Sequence, residues 1–428
     1  MSRIIKLLPL ALLATLAFSR SSKIAPGLEG LDANAPVDVI VQYRHAPTER
    51  HHALVRQNGG MLKNTLEVIR AGHYSIPAGA LDALAADPEV VHIWPDRPVK
   101  SSLDVTAPTV NAEIGWKYGW TGKGIGIGII DSGIADDPAL HDPATGKTRV
   151  VYNQAFGVSG GTVDVYGHGT HVSGIAAGNG SDSSGKYVGI APSADLINLR
   201  VLDNNGNGVD SNVIAAIQAA IQLKNTYNIR VINLSLGRPV YESYTQDPLC
   251  QAVEAAWKAG IVVVVAAGND GRDNSAGTNG YGTITAPGND PYVITVGAMK
   301  TMGTTSRGDD LIASYSSKGP TLLDHIVKPD LVAPGNRVIS TLGKGGHTLS
   351  HNYPQNDVTG TYFKLSGTSM ASAVVSGAAA LVVQQNPSLT PDQVKARLMK
   401  TSTKNFPATS VATDPTTGVS YVSQYDIF

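Results

Sequence analysis

Hydrophobic positions follow two rhythms along this chain. Between residues 37 and 98 the runs are short. VDVIVQY (37–43) alternates as a strand, and TERHHALVRQNGG (48–60) has helical spacing that stops at two glycines. LEVIRAGHYSI (66–76) returns to strand, AGALDALAADP (78–88) is a second helix stopped by Asp87-Pro88, and VVHIWPD (90–96) is a last strand. The order β-α-β-β-α-β predicts a small ferredoxin-like α+β module. The polar stretch VKSSLDVTAP (99–108) then reads as a linker.

Beyond residue 108 the runs become fully apolar and β-branched. GIGIGIID (124–131), ADLINLRVL (194–202), IRVINLSLG (229–237), GIVVVVAAGN (260–269) and YVITVGAM (292–299) have the texture of strands buried on both faces. DSNVIAAIQAAIQLKN (210–225) and LCQAVEAAWKAG (249–260) are the helical patterns between them. Strands alternating with helices predict an α/β domain with a mainly parallel sheet, in which function gathers past the carboxyl ends of the strands. KLSGTSMASAVVSGAAAL (364–381) is a helix of small side chains, suited to close packing.

Ahead of both patterns, Arg3 and Lys6 precede an apolar run, Leu7–Phe18, too short to span a bilayer. This is the layout of a signal peptide cut near residues 17–22, so the chain is expected to be exported, to the extracellular space or a periplasm. No later segment has eighteen uninterrupted apolar residues, and stable membrane insertion is not expected. The net charge of −1 supplies no field for nucleic acid. The single cysteine, Cys250, excludes an internal disulfide and sits on an apolar helix face, which points to a core role.

Three places carry chemistry. Asp131 closes an apolar strand, where a partly buried carboxylate or a helix N-cap are both open readings. In YGHGTHVSGIAAG (166–178), His168 and His171 flank Gly169-Thr170 at a helix start; no Glu-x-x-His or Cys pair accompanies them, which argues against zinc. His171 is expected to point inward, and His168, between glycines, to be exposed as a base. Ser369 follows Gly367-Thr368 at another helix start, where it either caps the helix or acts as a nucleophile whose own N–H faces a developing oxyanion. The chain order Asp, His, Ser is not the Ser, Asp/Glu, His order of α/β-hydrolases.

DSG, GHGTHVSG and GTSMAS together resemble the three signature motifs of the subtilisin-like serine proteases, and residues 37–98 resemble their inhibitor-type propeptide. The resemblance implies a signal peptide (1–22), a propeptide (23–100) and a three-layer catalytic domain (101–428). It implies a secreted, monomeric endopeptidase made as a zymogen, with polypeptide substrates and its own propeptide as chaperone and inhibitor. Ser369 would be the nucleophile, His168 the base and Asp131 its orienter, with activity lost when acid protonates His168. Asn269 would donate to the oxyanion. Gly206, Asn207 and Gly208, and opposite them Ser235, Leu236 and Gly237, would be the edges that hold an extended substrate; Ala266, Ala267 and Gly268 would line its first pocket. The Ala286–Pro287 bond would be cis, and the tail VVHIWPDRPVK would enter the cleft before a self-cut between about Arg97 and Thr106. No cofactor is required for the chemistry, and a structural calcium ion is left open, since GNGSDSSGKY lacks the family's clear ligand pattern. Ala373 stands where the family usually has proline, and the chain ends at SQYDIF without a glycine-rich closing segment. A binding protein without turnover is the competing reading.

Overall fold

The computed structural model describes residues 21–424 apart from 26, 29, 97, 102–108, 305–306, 344, 405 and 415–416, and only the backbone of 98–101. Residues 1–20 of the expected signal peptide and most of the expected self-cleavage window lie outside the described residues.

The N-terminal module contains β1 (Pro36–Tyr43), α1 (Glu49–Gln57), β2 (Met61–Leu66), β3 (Ala71–Pro77), α2 (Leu81–Ala85) and β4 (Val90–Pro95). Its antiparallel sheet has the order β2-β3-β1-β4, as a ferredoxin-like module requires. One expectation needs correction. LEVIRAGHYSI, read as strand along its length, is interrupted: residues 67–69 form a 3-10 turn and Arg70 adopts a left-handed φ of 56°, folding β2 back against β3.

This module has a core of its own around Val39, Val41, Tyr43, Val55, Tyr74, Leu81 and Leu84. Its other sheet face is not self-contained: Ile40, Leu66, Ile69, Ala71 and Trp94 belong to the core of the large domain. They lie over two helices of that domain, Asp210–Leu223 and Pro248–Lys258, where the Gln218 side chain accepts from the Val68 N–H at 3.1 Å and Gln42 bonds Gln251. Asp96 accepts from both the N–H and the hydroxyl of Ser211, at 2.7 and 2.5 Å, and so adds a carboxylate to the positive end of a helix.

The residues read as a linker hold a further strand, β5 (Pro98–Ser101). It is followed by α3 (Ala112–Lys117), β6 (Gly126–Asp131), β7 (Val150–Ala155), α4 (His168–Ala177), β8 (Asp195–Arg200), β9 (Asn207–Val209), α5 (Asp210–Leu223), β10 (Ile229–Leu234) and β11 (Leu236–Gly237). Then come α6 (Pro248–Lys258), β12 (Val262–Ala266), β13 (Ile294–Lys300), β14 (Leu311–Ile312), β15 (Leu331–Pro334), β16 (Val338–Thr341), α7 (Thr348–Asn352), β17 (Tyr362–Leu365) and α8 (Thr368–Gln385).

The large sheet runs β14-β13-β12-β10-β6-β8-β7, with β15 beside β13; all of its pairs are parallel except β13 with β14. Its central strands are buried almost throughout, which is why they read as largely apolar runs. α5 packs with α6 and α4 packs with α8, giving the three layers of an α/β domain. α8 continues unbroken through Ala373, which is fully buried. Small residues let it approach α4: a Cβ at Gly377 would sit 2.6 Å from Ile190 Cβ and 2.9 Å from the Ala176 carbonyl. Cys250 is a core residue as expected, its thiol donating to Asn289 Oδ1 at 3.3 Å and pushed well up by burial.

Candidate active site

The parallel sheet delivers its polar residues at one end. Asp131 is the last residue of β6, and Ser235 and Asn269 lie just past β10 and β12. His168 opens α4 and Ser369 is the second residue of α8, so two helix N-termini face those strand ends.

Asp131 is wholly buried, beyond the partial burial expected. Its Oδ1 accepts from the Ser132 N–H at 2.7 Å and lies 2.7 Å from His168 Nδ1; Oδ2 has no hydrogen-bond partner among the described residues. It caps no helix, since the next helical turn begins at Pro138 under Asp137. A carboxylate at Nδ1 holds the imidazole proton there and leaves Nε2 as the basic nitrogen. His168 is also fully buried, which corrects the expectation of an exposed base: every residue of α4 is enclosed by the domain. His171 points inward, its Nε2 3.0 Å from the Phe363 carbonyl, and burial lowers its pKa to about 3.

Asp164 was not legible as a site residue. Its Oδ1 accepts from the Ser132 hydroxyl (2.9 Å) and the Gly167 N–H (2.7 Å), and its Oδ2 from the N–H and hydroxyl of Thr170 (2.8 and 2.7 Å). The Ser132 hydroxyl in turn accepts from the Gly169 N–H at 2.9 Å. One buried carboxylate thus ties the segment after Asp131 to the first turn of the His168 helix. Its only signal in the sequence is a carboxylate four residues before a helix start, which ordinary capping also explains.

Ser369 is held from one side. Its hydroxyl donates to the Ser235 carbonyl at 3.0 Å, and the Ser235 hydroxyl donates to the Ser369 carbonyl at 2.9 Å. Asn233, Ser372 and Ser376 extend this into a buried polar ladder: Asn233 Nδ2 donates to Ser235 Oγ (2.7 Å), Ser372 Oγ to the Ser369 carbonyl (2.8 Å), and Ser376 Oγ to Asn233 Oδ1 (2.9 Å). The extra serines of the small-residue helix therefore anchor it to β10. Asn269 Oδ1 accepts from the Thr368 N–H at 2.9 Å, and its carboxamide NH2 has no hydrogen bond among the described residues. An open NH2 beside the first N–H groups of α8 is a donor pair suited to a developing oxyanion.

The two expected edges lie on either side of β5. Asp203 shapes the turn at Gly206 by accepting from the Asn205 and Asn207 N–H groups (2.8 and 2.9 Å). On one side Val99 is opposite Gly208 and Lys100 opposite Asn207; on the other, Lys100 is opposite Gly237 and Ser101 opposite Leu236. Both pairings are antiparallel. Ala266, Ala267 and Gly268 close β12 beside Thr285, where Ala266 and Ala267 are buried and Gly268 is half-buried. Gly268 has φ 104°, and a Cβ there would sit 2.7 Å from Ser317 Oγ. The Ala286–Pro287 bond is cis, as the family pattern implies.

Comparison with known proteins agrees with this geometry. Residues 122–416 match the Subtilase family (Peptidase_S8). Over 361 residues the chain is 37% identical to serine protease AprX of Bacillus subtilis (strain 168), covering 82% of this chain and 78% of that protein. It is 32% identical to subtilisin E of the same organism over 402 residues, covering 93% and 92% of the two chains. The crystal structure of fervidolysin from Fervidobacterium pennivorans, a keratinolytic enzyme related to subtilisin, superposes with a TM-score of 0.63 at 23% identity, covering 86% of this chain and 58% of fervidolysin. The chain belongs to the subtilase family and is a subtilisin-like serine protease.

Proposed function

We propose that the chain is an exported endopeptidase precursor that cuts itself just beyond β5 and is then held inactive by its own N-terminal module. The observation that carries this is the seating of β5 between β9 and β11. Along β5 the partners on β11 run from Gly237 to Leu236, toward Ser235, whose carbonyl accepts from the Ser369 hydroxyl. The strand therefore heads for the nucleophile, and Ser101 lies on the acyl side. That narrows the cut from residues 97–106 to the part after Ser101.

In the proposed reaction Ser369 Oγ attacks the peptide carbonyl carbon while its proton passes to His168 Nε2. Asp131, at Nδ1, stabilises the resulting imidazolium. The carbonyl oxygen becomes an oxyanion bonded by Asn269 Nδ2 and the Ser369 N–H. Collapse breaks the C–N bond, His168 returns the proton to the leaving amine, and water hydrolyses the acyl-serine by the same route. The former substrate strand stays in the groove as a product-like inhibitor until the module is degraded. Main-chain pairing on both sides also suits polypeptides of varied sequence.

The test is self-processing of the chain lacking its signal, beside Ser369→Ala, with N-terminal sequencing. Cleavage between residues 101 and 106 that is absent in the variant is the expected result. A folded wild type that stays full-length and does not react with a fluorophosphonate probe would replace this reading with that of a binding protein.

A further inference from the structure

Arg238 is the first residue after β11 and its side chain is almost wholly buried, at 1% exposed. Nε donates to both oxygens of Asp210, at 3.0 and 2.9 Å; Nη2 donates to both oxygens of Asp247, at 2.8 Å each; Nη1 donates to the Pro239 carbonyl at 3.1 Å. Its backbone bonds Ala286 in both directions, at 3.0 and 2.9 Å. Asp210 is the first residue of α5 and follows β9 directly. Asp247 is the N-cap of α6, where it also accepts from the Leu249 N–H at 2.9 Å.

These contacts join structures that the polypeptide chain does not. One edge of the groove ends at Arg238 and the other ends at Asp210, and the guanidinium closes the gap by bonding Asp210, while Asp247 at the start of α6 holds its other side. We infer that Arg238 is a positioning residue that fixes the spacing of β9 and β11, and through it the affinity for substrate residues on the acyl side. A planar fork donating to two carboxylates holds distance and orientation in a way that a lysine ammonium cannot. The groove admits one extended strand, so a small change in its width weakens main-chain bonds on one side or the other. The residue touches neither Ser369 nor His168, so the chemistry at a short substrate does not depend on it.

The inference rests on the reading of this groove as the acyl-side cleft, and the test separates the two. Matured wild type, Arg238→Lys and Arg238→Gln are compared on two fluorogenic substrates, one with a single residue and one with four residues on the acyl side, each normalised by active-site titration. A wild type that gains no kcat/KM from the longer substrate would refute the cleft reading itself. Given that gain, Arg238→Gln is expected to lose roughly five- to thirtyfold on the four-residue substrate, mostly in KM, the worth of one or two main-chain hydrogen bonds. The single-residue substrate stays within about twofold, and Arg238→Lys falls between. Inhibition by the free N-terminal module weakens in the same proportion, because β5 uses the same edges. Should Arg238→Gln not fold, Arg238→Lys together with Asp247→Asn, which leaves the clasp on Asp210 in place, decides the question: the former shows the length-dependent loss and the latter does not. Equal losses on both substrates, or none on either, would overturn the role assigned to Arg238.

Discussion

The active site has two arms, and they are built in opposite ways. The acid–base arm, Asp131 with His168, is fully buried and cross-tied by Asp164, which accepts four hydrogen bonds. The nucleophile arm, Ser369 with Asn269, sits at a helix N-terminus with a carboxamide NH2 left open. The first arm fixes its imidazole through Asp131 Oδ1 and ties its flanking segments through Asp164, so that one tautomer and one ring orientation persist. The second keeps donors in reserve for charge that exists only during reaction. Order in one arm and reserve in the other are both forms of preorganisation.

Three substitutions bear on that contrast, in descending effect on turnover. Asn269→Ala removes a reserved donor and is expected to lower kcat by ~10²–10³ with little change in KM, read by steady-state kinetics on a peptide substrate. Were KM to carry the loss instead, Asn269 would belong to ground-state binding. Asp164→Asn leaves one good acceptor where there were two and turns an NH2 toward N–H or hydroxyl donors. We expect a loss of roughly ten- to a hundredfold in kcat from misplacement of His168, with about 1–3 kcal/mol of stability lost for each group left unpaired. Denaturant unfolding in a Ser369→Ala background measures the second part free of self-digestion. Loss of stability with full activity would show that the acid–base arm orients itself without this tie.

The smallest effect on turnover is expected from Asp290, which lies outside both arms. Its Oδ1 accepts from the Tyr292 N–H at 2.8 Å, Oδ2 has no hydrogen-bond partner among the described residues, and burial pushes its carboxyl up to about 7. An acid raised above its unfolded value contributes stability that is complete below pH ~4 and is lost as pH rises to about 7. The Asp290 contribution to the stability of the Ser369→Ala chain should fall across that window with a slope approaching ~1.4 kcal/mol per pH unit, and Asp290→Asn should remove that contribution. Thermal unfolding from pH 4 to 8 checks this. An unchanged slope would move the titration to another group.

Legibility in the sequence followed chemical locality. Asp131, His168 and Ser369 each sit in a short motif whose glycines and small residues mark a strand end or a helix start, so residue type and position appear together. The large sheet was readable because strands buried on both faces are dominated by apolar, β-branched residues, with few polar positions to interrupt them. The N-terminal module was readable in outline, but the break at 67–69 depended on a left-handed Arg70, which no apolar pattern announces.

What the sequence by itself determined is therefore the element order, the family and the residues able to do the chemistry, since each is written in a contiguous stretch. The tertiary structure alone decided what Asp164, Asp96 and Arg238 do. Each is a charged residue of ordinary local context whose partners are remote in sequence or belong to other elements: Ser132 lies 32 residues from Asp164, and Ser211 lies 115 from Asp96. The polar stretch read as a linker became a strand for the same physical reason. A strand of four residues has little preference of its own, and β5 exists because two edges offer it hydrogen bonds on both sides.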